Sequence, residues 1–337
     1  MAIDVHAHYV PKSILETIDA RAADFGLSVV RHPPSCACAL HFDHGLKVRP
    51  FFPKLIESED ARLGSMAECG VDRQVLSMWA DIFGYGMEPA KNRAWHRYLN
   101  EHVAALCDAR SAHFSMLASL PLQDPQAAAA ELEFAVRELG AVGAVASANV
   151  AGVNLGEMAL DPLWQMAVAL DVGVFIHPVQ AQPDARVARF ALSQIAQYTF
   201  DTTLCVGSLI FNGVMDRFPS LRLLLSHGGG AVPYLSGRFD CMHARMDRAA
   251  QGDVAEHPPS AYLDRFYYDT ILHDPSILAW LAGRVSVARI VLGSDDSFPP
   301  ADHDPRATVR LAGFSQAERQ AIEEDNPRRL FPGLAGL

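Results

Sequence analysis

Short runs of β-branched and aliphatic residues recur along the chain, and longer stretches with helical spacing separate them. The runs stand at 3–8, 74–79, 113–119, 142–147, 172–177, 222–227, 266–270 and 288–294. Helical patterns cover 89–109, 125–139, 157–170 and 275–282. Asp124-Pro125, Asp161-Pro162 and Asp274-Pro275 each offer a capping carboxylate followed by a proline suited to the first helical turn. Gly140 and Gly283 sit where helices are expected to stop. Strands alternating with helices predict a parallel sheet, and eight of them predict a closed (β/α)8 TIM barrel. An open doubly wound sheet is the competing fold. It lacks support, because no glycine-rich dinucleotide turn follows the first strand.

Two segments break the repeat. Residues 31–53, rich in Pro, Cys, His and aromatics, read as a small insertion after the first strand, a hairpin over the barrel mouth. Residues 179–200 lengthen the fifth strand-to-helix connection and have the place of a lid. Neither is long enough to be a second domain, so residues 1–337 are expected to form one.

Composition narrows the function. Of 337 residues, 50% are hydrophobic and 20% charged, as in a globular protein with a large core. The formal charge of -11 argues against nucleic acid or an anionic membrane as partner, while leaving room for a local basic pocket. Cys36, Cys38, Cys69, Cys107, Cys205 and Cys241 are too scattered for a disulfide framework. The chain shows no basic leader with an apolar core and no run long enough to span a bilayer, so a cytoplasmic location is expected.

The chemistry gathers at strand ends. His6 and His8 close the first strand two residues apart and so share a face, where two imidazoles can chelate one divalent ion. His177 closes the fifth strand, His227 the sixth, and Asp295 follows the eighth. The C-terminal strand ends of a barrel converge on one site, so these distant positions become neighbours.

That arrangement resembles the amidohydrolase superfamily. The finer wording resembles its aminocarboxymuconate-semialdehyde decarboxylase-like branch. The matching segments include Asp4-Val5-His6-Ala7-His8, Phe83-Gly84-Tyr85, Pro121-Leu122-Gln123-Asp124, His177-Pro178, His227-Gly228-Gly229-Gly230, Gly237-Arg238, Asp264-Arg265-Phe266 and Gly293-Ser294-Asp295. They run in order through nearly the whole chain. The resemblance implies that His6, His8, His177 and Asp295 bind one divalent metal ion, most often zinc, and that His227 is a base or proton shuttle. It makes Arg49 a substrate-carboxylate arginine, Arg238 an arginine donated across a homodimer interface, and Phe298 a wall of the pocket. Binuclear relatives carry a bridging lysine on the fourth strand; 142–147 has none, which implies a single metal.

The expected activity is non-oxidative decarboxylation of a small unsaturated or aromatic carboxylic acid. A hydrolase or hydratase on the same scaffold is the alternative, and a non-catalytic binding barrel is a third reading. Some positions depart from the decarboxylase wording: Val179 replaces a common Trp, and Asp296-Ser297-Phe298 replaces Tyr-Pro-Phe. Asp296 is expected to support a ligand histidine or face solvent. Cys36, Cys38, His41 and His44 resemble a metal knuckle but have unsuitable spacing. His96 and His102 read as core or solvated helix residues. The glycines 228–230 read as allowing backbone to approach the metal site.

Overall fold

The computed structural model describes residues 1–32, 37–179 and 185–335. Cys36 and residues 180–184 of the expected lid lie outside the described residues.

The described residues form twelve strands. They are β1 (Ile3–His8), β2 (Leu27–His32), β3 (Ala37–Phe42), β4 (Arg73–Ser77), β5 (Phe114–Ser119) and β6 (Gly143–Ser147), followed by the short pair β7 (Asn149–Val150) and β8 (Val153–Asn154). The rest are β9 (Gly173–His177), β10 (Arg222–Leu225), β11 (Phe266–Asp269) and β12 (Ile290–Val291). Eight form one sheet in the order β1-β4-β5-β6-β9-β10-β11-β12, with parallel neighbours throughout. The expected runs and the observed barrel strands coincide one for one. Closure between the last strand and the first is made by backbone bonds: Val5 N donates to Leu292 O at 2.9 Å and His8 N to Asp296 O at 3.1 Å. Gly293 makes this approach possible. A Cβ there would stand 3.0 Å from His6 Cβ and 3.1 Å from Asp269 Cβ.

Helices α1 (Lys12–Phe25), α2 (Glu59–Cys69), α3 (Pro89–Ala109), α4 (Pro125–Glu138) and α5 (Asp161–Ala169) lie in the first half. The second half holds α6 (Tyr198–Phe211), α7 (Val214–Arg217), α8 (Val232–Arg245), α9 (Arg248–Gln251) and α10 (Pro275–Val285), then α11 (Pro305–Leu311), α12 (Gln316–Gln320) and α13 (Asn326–Leu330). They cover the sheet with a continuous apolar core in which Trp95 and Trp164 are fully buried.

Three of the expected helix signals hold: α4 stops at Glu138, just before Gly140 (φ 70°), and two of the three Asp-Pro pairs cap. Asp124 and Asp274 accept from the amides of Ala127 and Ser276. Asp161 does not cap: Leu160 precedes α5, and the Asp161 carboxylate turns outward to Arg217 at 2.9 Å. Gly283 does not end its helix either. Helix α10 continues through it because Ala282 and Val285 pack into the core, and an interior glycine costs only about 1 kcal/mol. The antiparallel hairpin β2–β3 follows α1 rather than β1 and begins at Leu27, earlier than the expected 31.

Candidate active site and metal centre

One ligand atom from each of His6, His8, His177 and Asp295 lies within 4.8 Å of the others. All four residues are buried. His6 Nε2 and His8 Nε2 stand 3.0 Å apart, and Asp295 Oδ1 lies 3.3 and 3.4 Å from them. Such separations suit ligands that are each about 2.1 Å from one ion.

Hydrogen bonds from the far side of each ring select the nitrogen that faces inward. His6 Nδ1 donates to Asp269 Oδ2 at 2.7 Å, and His177 Nδ1 to the Pro178 carbonyl at 2.7 Å. His8 Nδ1 pairs at 3.0 Å with the Ser77 hydroxyl, which itself donates to the Ala7 carbonyl. With Nδ1 engaged on all three rings, each Nε2 is left to present a lone pair. His177 Nε2 and Asp295 Oδ1 are buried without a hydrogen-bond partner. A buried acceptor left alone is costly unless something binds it, and a divalent cation satisfies both atoms at once. The residues present therefore fit the metal that the sequence implied.

The charges agree. Burial holds His8 down at about 4 and His177 well below its ordinary value, so both stay neutral and free to ligate. Burial also pushes His6 down, but the Asp295 and Asp269 carboxylates outweigh it and carry His6 up to about 10. A cation held by these residues would compete with that proton for Nε2. Burial alone would raise Asp295; His6 and the other facing imidazoles instead keep it well below the usual carboxylate range.

His227 stands beside this cluster. Its Nε2 is 3.6 Å from Asp295 Oδ2, and its ring centroid is 5.7 Å from that of His177. Its Nδ1 is buried without a partner, while the side chain keeps 16% exposure. Both His227 (φ 53°) and Asp295 (φ 56°) adopt the left-handed backbone region, a strained state that surrounding contacts must hold. Gly230 has φ 60°, and a Cβ there would meet Thr199 O at 2.1 Å. A Cβ on glycines 228–230 would meet Leu272, Tyr268 and Thr199, while the Gly228 amide reaches the Asp269 carboxylate that also holds His6.

Phe298 packs against the His8 ring at 4.9 Å and faces Trp79 at 6.1 Å. The Arg49 guanidinium lies 4.9 Å from the Phe52 ring centroid and 5.7 Å from that of Trp79, with Asp81 Oδ2 at 3.5 Å. Arg49 also lines a cavity of about 610 Å³ with Lys47, Tyr85, Asn149 and Val179. Arg238, in contrast, is exposed on α8 and is absent from that lining. His96 is core, with Nδ1 on the Ser119 hydroxyl at 2.9 Å; burial lowers it to about 3. His102 bonds the Ser13 hydroxyl at 2.8 Å.

Asp296 takes neither expected role. It is buried and bound to cations, with Lys54 Nζ at 2.6 Å and Arg62 Nη2 at 3.4 Å. The support for His6 comes from Asp269, which sequence reading passed over. Its carboxylate accepts from His6 Nδ1, from the amides of His227 and Gly228 at 2.8 Å each, and from the amide of Ile271. The strand-end rule, applied to 266–270, would have found it. Asp269→Asn is expected to weaken metal binding by about 10–100-fold, measured by competition with a chromophoric chelator. An unchanged affinity would remove Asp269 from this supporting role.

A (β/α)8 barrel whose strand ends gather three imidazoles and a carboxylate at one point defines a metal-competent enzyme scaffold. The chain belongs to the amidohydrolase family, whose model matches residues 3–333, and it is an enzyme of that family. It is 29% identical to the 2-amino-3-carboxymuconate-6-semialdehyde decarboxylase of Dictyostelium discoideum, over 96% of this chain and 89% of the relative. It is 28% identical to the 6-methylsalicylic acid decarboxylase of Penicillium expansum, over 99% of this chain and 97% of the relative. Its fold matches a crystal structure of a dihydroxybenzoic acid decarboxylase from a Polaromonas species, with bound manganese and the inhibitor 2-nitroresorcinol. There the TM-score is 0.75 and identity 24%, covering 98% of this chain and 96% of the other. The resemblance seen in the motifs therefore holds along the chain. Among the described residues no helix is long and apolar enough to cross a membrane.

Proposed function

We propose that this protein is a metal-dependent, non-oxidative decarboxylase of a small aromatic or unsaturated carboxylic acid. The observation that carries the reading is His227 standing against Asp295 of the metal cluster, 3.6 Å away, with one ring nitrogen committed to no partner. The decarboxylases among its relatives support the same class. His6, His8, His177 and Asp295 would hold a single divalent ion, which when bound supplies Lewis acidity toward the substrate's oxygen atoms. Three imidazoles with one carboxylate accept zinc, the ion expected from the motifs, and also manganese, the ion in the Polaromonas enzyme.

The remaining work falls to this chain's own groups. The half-buried Phe298, packed beside the His8 ring, would wall the place of a planar substrate, with Trp79 buried behind it. Arg49 presents a planar fork to a carboxylate. The carbon–carboxylate bond breaks with its electron pair left on carbon, carbon dioxide departs, and His227 delivers the proton that carbon takes up. The test is turnover of a panel of hydroxybenzoic and muconate-type acids with carbon dioxide and product both measured. Stoichiometric carbon dioxide supports the reading. Addition of water to lactones, amides or enol acids without carbon dioxide would replace it with the hydrolase alternative.

We also infer a homodimer. Phe200 (52% exposed) and Leu204 (62%) stand out from α6, and Tyr234 (79%) and Met242 (43%) from α8, a helix that packs against α6. Arg238 is one turn from both Tyr234 and Met242. Covering these exposed apolar residues with a second copy would place Arg238 in the interface, from where it is proposed to serve the partner's site. Mixing Arg238→Ala with His227→Asn chains is expected to restore activity, because one site in each mixed dimer regains both residues. Failure to restore it in verified mixed dimers would end the cross-subunit assignment.

A further inference from the structure

Opposite the metal cluster, the starts of three successive barrel strands each carry an arginine. Arg222 opens β10, Arg265 immediately precedes β11, and Arg289 immediately precedes β12. Helix α13 adds Arg329, and the four residues line one cavity of about 370 Å³. That volume lies within the range of small-molecule sites, about 300–1,000 Å³.

The four guanidinium groups are poorly neutralised. Arg222 Nη2 reaches the Asp171 carboxylate at 2.5 Å and its carbonyl at 2.6 Å, and this carboxylate is 70% exposed. Arg265 donates to the Pro219 carbonyl, and Arg329 to the Asn326 side-chain oxygen at 3.0 Å. Arg289 lies 5.1 Å from the centroid of the Tyr267 ring. Among the described residues, Asp171 is the one carboxylate in ion-pair contact with these four arginines. Carbonyls, an amide and a ring satisfy hydrogens or offer a π face without cancelling charge. The Nε–H of Arg222 is buried and has no acceptor. Arginine cannot relieve repulsion by losing its proton. Such a concentration of positive charge, on a chain whose formal charge is -11, suits an anion able to accept several guanidinium forks at once.

We propose that this cavity binds a compact multivalent oxyanion, either a phosphoryl compound or a small di- or tricarboxylate. The bound anion would tie together the beginnings of β10, β11 and β12. The far ends of those strands lead to His227, Asp269 and Asp295. Occupancy is thus expected to stiffen the half of the barrel that supports the site, and to raise stability by mass action.

The test uses the metal-loaded full-length enzyme, with calorimetric titration and thermal melts in inorganic phosphate or succinate against sodium chloride at equal ionic strength. A saturable rise in Tm beyond that of chloride is expected. In Arg265→Ala/Arg289→Ala the anion should bind at least about tenfold more weakly, while Arg49→Ala should leave this binding unchanged. A response to phosphate alone assigns a phosphoryl ligand, and one to succinate alone a carboxylate. Should the double variant fail to fold, Arg329→Gln, a change at an exposed side chain, must weaken binding in its place. The proposal is overturned if neither anion exceeds chloride, if the arginine variants bind normally, or if Arg49→Ala abolishes the effect.

Discussion

Replacing His227 by Asn is expected to lower kcat by about 10²–10⁴-fold while the metal stays bound. The substitution keeps the polarity and roughly the size of the group but removes its ability to take up and deliver a proton. His227 is held by its backbone rather than its ring: its amide donates to Asp269, and the glycine turn after it packs on Tyr268 and Leu272. The variant should therefore retain both the turn and the four ligand residues. Metal content by elemental analysis and single-turnover carbon dioxide release separate the two effects. Normal turnover would refute the proton-transfer role, and loss of metal along with activity would make His227 a ligand instead.

The second large effect is expected at Arg62, which is not one of the candidate metal-binding residues. Its fully buried guanidinium bonds the Gln74 side chain at 2.8 Å and the Ser297 hydroxyl at 3.0 Å, and it stands 3.4 Å from Asp296. Ser297 in turn donates to the His8 carbonyl at 2.6 Å. Arg62 thus braces the turn that presents Asp295 in its left-handed conformation. Arg62→Ala leaves the Asp296 carboxylate buried with one cation fewer, and breaking a buried pair from one side costs about 3–5 kcal/mol. Urea unfolding of the metal-loaded protein should show this loss, with weaker metal retention as a second readout. Arg62→Ala combined with Asp296→Asn should lose less than the sum of the two single changes. Strict additivity, or a loss below about 1 kcal/mol, would show that the turn stands without this brace.

Much of the architecture was legible before any coordinates. Apolar runs end in His8, His177 and His227, and the barrel rule converts those ends into neighbours. Asp269 carries a weaker local signal than a strand-end histidine, since an aspartate there is as often a plain polar terminus, although the seventh strand obeys the same rule. Asp296 was misread for a different reason. Its place beside a metal ligand suggested a role at the metal, but the closing turn rotates its carboxylate toward α2 and Lys54. Gly283 and Asp161 show the limit of local signals: core packing carried α10 through the glycine, and Arg217 took the carboxylate from the helix start.

The order of strands, the candidate metal-binding residues at their ends and the family were legible in the sequence itself, because alternation and periodicity are local properties that survive without knowledge of distant partners. Which nitrogen of each histidine faces the common point, which carboxylate supports His6, and which arginine is buried under the closing turn were decided only by tertiary structure. Those choices depend on hydrogen bonds between residues widely separated along the chain. Their geometry exists only once the last strand has met the first.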